Sequence, residues 1–426
     1  MGMTRSLTAI LTVPLLTAAL LASCGGSPGT PAATPAPTAG PAAPASLSAS
    51  VETLPVSGAL NVPGTLRIAG RAPADLTVTA SGPQQAVTVT TTLQASGNDT
   101  LVQVTPVGSG RGPVTLTVQA GAARANVTLP LLRAAARPVR TDGAYQAGGA
   151  TPWNGGVLLR AAANARADDR HALTAASAAG ITALDFPLSG LDTITGHAVA
   201  PDGSVWVAVR GATAAGSELI RRAPDGTLTR VPAGTTETLS SLGVTPDGRV
   251  WAVAYGQPRL LSAAPDGTRG ELALGSVPDA LTVGPDGALY LTRRGEHPAI
   301  LRVDPASGAA QTFPVGTPGV SVPAALTPAP DGTLLFTETR TGSAWRLDPR
   351  GGAQVALPLP AGTRAGALAA APDGSVWVSD PTAGTLLRLT DGRAARVPLG
   401  GAARALTVTP DGRVWFELGG QLLTLE

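Results

Sequence analysis

The sequence predicts an all-β protein, a seven-bladed β-propeller preceded by an Ig-like β-sandwich. Three observations predict it: 53 glycines and 39 prolines among 426 residues, alternating apolar and polar runs in the first third, and one unit that recurs through the rest. Glycine and proline set the backbone angles of tight turns, and short alternating runs are typical of strands. The expected division is 1–23 signal peptide, 24–45 lipidated cysteine and tether, 46–134 Ig-like sandwich, and 135–426 propeller.

The first 23 residues predict a lipoprotein signal peptide. Arg5 supplies the positive charge, and the apolar run that follows, interrupted by Pro14, is too short to span a bilayer comfortably. The run ends in LASCG, which resembles the lipobox of bacterial lipoproteins. That resemblance implies cleavage before Cys24 and a diacylglycerol on its sulfur, and two acyl chains give stable anchoring. The alternative is an ordinary signal peptide with a chance cysteine.

A lipidated Cys24 predicts an exported, membrane-anchored protein of the cell envelope. Gly25, rather than aspartate, after the cysteine favours the outer membrane or cell surface. Residues 25–45 are proline, alanine, glycine, threonine and serine without charge, which predicts an extended tether and no core. Because Cys24 is the only cysteine, no intrachain disulfide is expected.

Residues 46–134 contain seven runs of strand length separated by turn residues. Their alternation and spacing are typical of a β-sandwich. The Cys…Trp…Cys core of immunoglobulin domains is missing, so the prediction concerns architecture only.

The remaining residues repeat one unit, an apolar strand, Pro-Asp-Gly, and a second apolar strand with an aromatic residue. Successive turn glycines are 38 to 45 residues apart, which are propeller-blade lengths. The turn glycines are Gly203, Gly248, Gly287, Gly332, Gly374 and Gly412. Proline presets φ, aspartate caps the turn with its own side chain, and glycine takes the left-handed conformation.

The aromatic residues follow the turn glycines by three places, except in the unit of Gly332, where Phe336 follows by four. The others are Trp206, Trp251, Tyr290, Trp377 and Trp415. Large rings at one depth in every blade predict packing between neighbouring blades rather than a ligand cage.

Two irregular units complete the predicted ring. An unmarked first unit has Gly156 placed 47 residues before Gly203. The last unit ends too early to supply its outer strand. Because an open propeller would expose an edge, we expect residues 136–141 to pair with residues 422–425 and join the two ends of the ring.

The fifth unit, DGTLLFTETRTGSAWRLDPRGG, resembles the repeat of the streptogramin lyases, the virginiamycin B lyase family. The repeat is similar to those of NHL and SMP-30-like propellers as well, so it indicates fold more than function. The resemblance implies a seven-bladed propeller whose lyases open a cyclic depsipeptide with a metal held by Glu and His and with another His as base. Glu338 matches the glutamate of the repeat. The positions that would hold the histidine have other residues, namely Thr195, Ser240, Asp279, Ala324, Gly366 and Arg404.

The candidate ligand or metal site is Arg293, Glu338 and Asp380, with His297 in a nearby loop. The first three occupy equivalent positions in consecutive units, so they should meet at strand ends on one face of the ring. Two carboxylates there could bind Ca²⁺ or Mg²⁺ through oxygen ligands. The alternative is that Glu338 forms an ion pair with Arg293 or Arg340. No cofactor is expected to be required, and no catalytic residue is assigned.

The composition narrows the function further. The chain has no lysine, which excludes lysine Schiff-base chemistry, and its net charge of +2 is not clustered, so no nucleic-acid partner is expected. Few titratable groups favour a binding scaffold for an envelope protein, peptide or glycan. The alternatives are a streptogramin-lyase-like metal-dependent lyase or hydrolase, and a structural role in outer-membrane assembly.

Overall fold

The computed structural model describes residues 47–70, 75–82, 87–96, 99–140, 150–160, 172–188, 192–211 and 216–426. Cys24, the signal peptide, the tether up to residue 45, and His171 lie outside these ranges. The regular secondary structure of the described residues is β-strand throughout, which confirms the all-β prediction. No helix in the described part of the chain is long and apolar enough to cross a membrane.

The N-terminal strands form two sheets that share one hydrophobic core. The strands are β1 (Ala49–Thr53), β2 (Val56–Gly58), β3 (Gly64–Ile68), β4 (Thr77–Ser81), β5 (Val87–Ser96), β6 (Asp99–Pro106), β7 (Gly112–Ala120) and β8 (Ala123–Arg140). One sheet orders them β1-β3-β6-β5, and in the other β4, β7 and β8 are adjacent while β2 pairs with β8. Leu66 and Val102 of the first sheet pack against Leu116 and Leu129 of the second, as the alternation of apolar residues requires.

Five sheets of four antiparallel strands form the regular part of the ring. Their strands are β9 (Thr151–Trp153), β10 (Gly156–Arg160), β11 (Ala172–Ser177), β12 (Gly180–Asp185); β13 (Thr193–Val199), β14 (Val205–Arg210), β15 (Ser217–Arg222), β16 (Leu228–Pro232); β17 (Leu239–Val244), β18 (Val250–Ala254), β19 (Arg259–Ala263), β20 (Arg269–Ala273); β21 (Ala280–Val283), β22 (Leu289–Arg293), β23 (Ala299–Val303), β24 (Ala310–Pro314); β25 (Pro323–Pro328), β26 (Leu334–Glu338), β27 (Ser343–Leu347) and β28 (Gln354–Ala356). Strands that follow one another in the chain are neighbours within each sheet.

The last two repeats belong to larger sheets. Their strands are β29 (Leu368–Ala370), β30 (Val376–Asp380), β31 (Thr385–Thr390), β32 (Arg393–Pro398), β33 (Ala403–Val408), β34 (Val414–Leu418) and β35 (Gln421–Leu425). The run β29-β30-β31-β32 continues through β1 into an eight-stranded sheet, and β33-β34-β35 continues through β8 into a seven-stranded one.

The β-propeller is confirmed, but the expected count of seven blades is wrong. Five sheets stand as separate four-stranded blades in the described residues. The other two repeats differ because N-terminal strands pair with their outer edges. Thr53 is the parallel partner of Arg396, and Leu425 is the antiparallel partner of Ala134. An outer edge that would otherwise be free is thereby hydrogen-bonded.

The expected pairing between residues 136–141 and 422–425 is confirmed for the described strand. In β8, Ala136 is opposite Leu423 and Arg137 is opposite Leu422. β8 is 18 residues long and continues across the expected domain boundary at 134/135, so one strand serves both the N-terminal sheets and the ring.

The Pro-Asp-Gly turns have the predicted geometry. Gly203 and Gly332, for example, have φ of 82° and 84°, in the left-handed region. The turn aspartate accepts a backbone hydrogen bond from the residue two places on, as between Ser204 N and Asp202 Oδ1 at 2.9 Å and between Thr333 N and Asp331 Oδ1 at 3.0 Å. The local sequence therefore determines each turn.

The aromatic residues lie in the cores between sheets, as predicted. Trp206 is fully buried at 0% exposure and packs with Val250 and Ala252 of the next sheet. In the last repeat, Trp415 packs with Leu159 of the sheet that β9 to β12 form. The sheets therefore pack in a closed ring.

Each of four repeats also contains an arginine clamp that the sequence reasoning did not identify. An arginine on the third strand is opposite the residue three places past the turn glycine, and it binds the turn aspartate. The pairs are Asp202–Arg221, Asp286–Arg302, Asp331–Arg346 and Asp373–Arg388. In the last pair the Arg388 guanidinium also lies 5.9 Å from the centre of the Trp377 ring.

Candidate functional site

The site is at the end of the ring where the second strand of each sheet ends, which we call the loop end. Arg293, Glu338 and Asp380 are the last residues of β22, β26 and β30. These strands belong to consecutive sheets, so the three residues occupy the predicted equivalent positions. Their side chains, however, make different contacts.

Glu338 is 3% exposed, and both carboxylate oxygens accept hydrogen bonds from its own surroundings. Oε1 accepts from Val322 N at 2.7 Å and Arg340 N at 3.1 Å. Oε2 accepts from Thr341 N at 2.7 Å and Thr341 Oγ1 at 2.6 Å. Burial opposes ionisation, but hydrogen bonds from Thr341, Val322 and Arg340 outweigh it and lower the pKa of Glu338.

These bonds define what Glu338 does in the fold. The carboxylate closes the turn after β26 and also holds the segment that enters β25, through Val322. Ion pairs of Glu338 with Arg293 or with the Arg340 guanidinium, the alternative considered from the sequence, are not found among the described residues. Arg340 donates to this carboxylate through its backbone N–H and not through its guanidinium.

Asp380 has the same arrangement one sheet further on. It is 4% exposed, and its Oδ1 accepts from Thr382 N at 3.1 Å and Ala383 N at 3.0 Å. Its Oδ2 accepts from Arg364 N at 3.3 Å, in the segment that enters β29. Asp380 therefore also joins the turn after a second strand to the segment that enters the same sheet.

The Glu338 and Asp380 turns are connected through the backbone. Ala365 N donates to Gly342 O at 2.8 Å, and the next residue back, Arg364, donates to Asp380. A side chain at Gly342 would come within 3.0 Å of the Arg364 Cα, so the two loops are in close contact. The two acidic positions are thus parts of one connected loop system.

Arg293 and His297 lie in the loop of the preceding sheet. Arg293 Nε donates to the backbone oxygen of His297 at 2.7 Å, while the His297 side chain is exposed. Arg294 forms an ion pair with Asp279 of the segment before β21. The arginine therefore stabilises its own turn, and the structure does not bring it into contact with Glu338.

The described residues contain no group of three His, Cys, Asp or Glu side chains placed to hold a metal ion. The oxygens of Glu338 and Asp380 already accept hydrogen bonds from backbone N–H groups. A metal ion would have to displace these hydrogen bonds to coordinate the carboxylates. The geometry of these two carboxylates fits turn closure better than Ca²⁺ or Mg²⁺ coordination.

The loop end instead exposes apolar and cationic side chains. Tyr255, Val277 and Val320 are 72%, 47% and 50% exposed, and each lies in a connection at this end. Arg340 and Arg364 are exposed, and neither guanidinium bonds to a residue that the structure describes. A survey of charged and aromatic residues in the connections would have found this surface from sequence, whereas the bonds of Glu338 depend on a segment 16 residues earlier.

Comparisons with known proteins agree with this fold. A streptogramin B lyase structure is 21% identical, with a TM-score of 0.56, and covers 69% of this chain and 97% of that one. Virginiamycin B lyase from Staphylococcus aureus, as the selenomethionine protein, is 21% identical with a TM-score of 0.54, and covers 69% and 98%.

A third structure is a catalytically inactive histidine-to-alanine variant of the Staphylococcus aureus enzyme with quinupristin. It is 20% identical, with a TM-score of 0.52, and covers 69% of this chain and 98% of that one. No curated protein matches the sequence. The model of the virginiamycin B lyase family matches residues 184–421, more than half of the chain. The chain therefore belongs to the virginiamycin B lyase family.

Proposed function

We propose that this member of the family is a binding protein that holds an envelope protein, peptide or glycan on the loop end of its ring. The observation that carries the proposal is the state of Glu338. The residue that matches the family's glutamate accepts four hydrogen bonds from its own loops and has no free oxygen for a metal or a substrate. The positions that would hold the family's histidine have none.

The loop end supports binding in two ways. Arg340 and Arg364 offer exposed guanidiniums beside the connected loops, and guanidinium forks recognise carboxylates and other planar anions. Tyr255 and the exposed valines add apolar area on the same end. Because Glu338 and Asp380 hold the loops in place, this surface is preorganised, which reduces the entropic cost of binding.

The competing function is lyase chemistry on a substrate of the family. Quinupristin, present in the Staphylococcus aureus structure, is the appropriate probe. The purified protein is incubated with quinupristin and MgCl₂, and the products are separated by chromatography, with Glu338→Gln as the comparison. We expect no conversion. Conversion by the wild type that disappears in Glu338→Gln would replace the binding proposal with the lyase.

The binding role is tested by cross-linking in detergent-solubilised envelopes. The wild type, the double variant Arg340→Glu with Arg364→Glu, and the control Arg350→Glu are compared. Arg350 is exposed and lies in the turn between the outer strands, away from the loop end. We expect a discrete cross-linked product that the double variant loses and the control keeps. A product unchanged in the double variant would show that the loop end is not the binding surface.

The proposal includes export and lipidation at Cys24. The LASCG segment supports it, because the residues before and at the cysteine match the lipobox pattern. Cys24→Ser should remove the lipid mass from the protein and release it from the membrane fraction. A Cys24→Ser protein that stays in the membrane fraction would contradict lipid anchoring through this residue.

We also propose that the N-terminal sheets form an Ig-like sandwich. The proposal is supported by the core that these two sheets share. An experimental structure of residues 46–426 that showed a single N-terminal sheet would overturn it.

A further inference from the structure

The first sheet of the ring, β9 to β12, differs from the sheets that carry an arginine clamp. In the next sheet, Trp206 on β14 is opposite Arg221 on β15, and the arginine binds the turn aspartate. In the first sheet the tryptophan is Trp153, on β9, and the third strand has a small residue, since Ala175 is opposite Leu158. The first sheet therefore leaves space beside its tryptophan that a clamp arginine fills elsewhere.

A cavity of 240 Å³ occupies this space, and both Trp153 and Ala175 are in its walls. The turns that join β9 to β10 and β11 to β12 form its rim, so it opens at the end of the ring opposite the loop end. Sites for drug-sized ligands have volumes of about 300–1,000 Å³. The cavity therefore suits one small ring, with any larger ligand extending into solvent.

Trp153 is held in place as one wall of the cavity. Its Nε1 donates to the backbone oxygen of Gly203, in the turn of the next sheet, at 3.1 Å. The indole packs against the core between the first two sheets, yet the residue remains partly exposed. A ring that is fixed at one edge and open on the rest offers a preorganised flat surface to a ligand.

The polar groups in the walls are uncharged. Asn154, Ser177 and Thr182 supply an amide and two hydroxyls, and no wall residue among those the structure describes carries a charge. The Ser177 hydroxyl accepts from Ala179 N at 3.1 Å. The side chains of Asn154 and Thr182, both exposed residues, make no hydrogen bond with the described part of the chain. An amide and a hydroxyl can each donate and accept, so both are available to a ligand.

A neutral sugar ring matches these walls in three respects. The C–H groups of one sugar face carry partial positive charge and are attracted to the negative face of an indole. The hydroxyls around the sugar rim pair with amide and hydroxyl groups. The sugar also has no charge that would need a partner in the walls, whereas a bound ion would have none there.

We propose that this cavity binds one ring of a neutral glycan, stacked on Trp153 and hydrogen-bonded by Asn154 and Thr182. The site is separate from the loop end and does not rest on the proposed function. The binding requires no chemical step.

The probes are four neutral disaccharides, maltose, cellobiose, lactose and N,N′-diacetylchitobiose, each titrated into the purified protein and followed by saturation-transfer NMR. We expect saturable binding of at least one of them with a Kd of about 1 mM, as the contacts of a single sugar ring predict. Because no charged group takes part, this Kd should be the same at low and at high ionic strength.

Trp153→Ala should raise the Kd by about tenfold or more, because the stacking surface is lost. The matched control is Trp345→Ala. Trp345 is also partly exposed, but it lies in the fifth sheet, where its Nε1 donates to Ser343 Oγ at 2.9 Å. This variant should bind the disaccharide as the wild type does.

A second pair of variants covers the case in which Trp153→Ala does not fold. Thr182→Trp places a large side chain in the cavity from an exposed position on β12 and should block binding. Its control is Ala183→Trp, because successive side chains of a strand point to opposite faces. The proposal is overturned if none of the four disaccharides binds saturably or if the Kd rises severalfold with salt. It is also overturned if a folded Trp153→Ala binds as tightly as Trp345→Ala, or if Thr182→Trp binds as tightly as Ala183→Trp.

Discussion

Replacement of Glu338 by glutamine tests whether this carboxylate closes its loops or is kept for a ligand. Glutamine has the same shape but presents an NH₂ group where Oε2 accepts from Thr341 N and Thr341 Oγ1. The Thr341 hydroxyl can rotate and accept a hydrogen bond from this NH₂ group. The Thr341 N–H cannot, so it would face another donor. Hydrogen bonds to charged groups contribute about 1.5–3 kcal/mol, so we expect a local loss of about 2 kcal/mol.

The assay is hydrogen exchange of the segments that contain Val322 and Thr341. A loss of about 2 kcal/mol in a local opening equilibrium corresponds to about thirtyfold faster exchange. Glu296→Gln is the control, because Glu296 is exposed in the adjacent repeat. A residue kept for a ligand usually lowers stability, and its neutralisation then leaves stability unchanged or raised. Unchanged or slower exchange in Glu338→Gln would therefore refute the closure role.

Three further predictions concern the ring. Trp206→Ala should lower the free energy of unfolding by about 3–5 kcal/mol in a urea titration, since the side chain is fully buried, whereas the half-buried Trp345→Ala should cost less. Burial opposes ionisation of Asp331, but hydrogen bonds from Thr333 and the charge of Arg346 outweigh it and lower its pKa. Its stabilising contribution is therefore present above the unfolded pKa and lost as pH falls through the folded one, so urea midpoints of the wild type should fall more than those of Asp331→Asn below about pH 4; parallel curves would contradict this. Leu423→Pro should raise hydrogen exchange in 134–140 and in the neighbouring 157–159, because it interrupts the β8–β35 pairing; exchange confined to β35 would show that the pairing does not hold the ring closed.

The parts of the fold that could be predicted from sequence are those that short segments determine. Pro-Asp-Gly specifies its turn within four residues. Asp202 accepts a hydrogen bond from the backbone N–H of Ser204, and Gly203 adopts the positive φ that the turn requires. The buried depth of Trp206 follows from its fixed distance to that turn. The pairing of residues 136–141 with residues 422–425 could be predicted because the last unit lacks its outer strand, which is visible in the sequence alone.

What could not be predicted depends on contacts between distant segments. The sequence places Glu338 at a strand end but does not show that Val322 N approaches it. Nor does it show that β1 pairs with β32, which turns one expected blade into part of a larger sheet. The arginine clamps did leave a signal, since Arg302 and Arg346 recur two residues before Asp-Pro in the hairpins, but their partner is 15 or 16 residues away.

The length of β8 decides how this protein can be divided. A fragment that starts at residue 135 would retain only the second part of the strand, without the stretch that anchors it in the N-terminal sheets through β7. Such a fragment would have to recruit its final strand from a loosely held tail, and failure would leave β35 open to a second molecule. Expression of the ring alone should therefore favour strand exchange and aggregation, whereas a protein that begins near residue 46 should remain monodisperse.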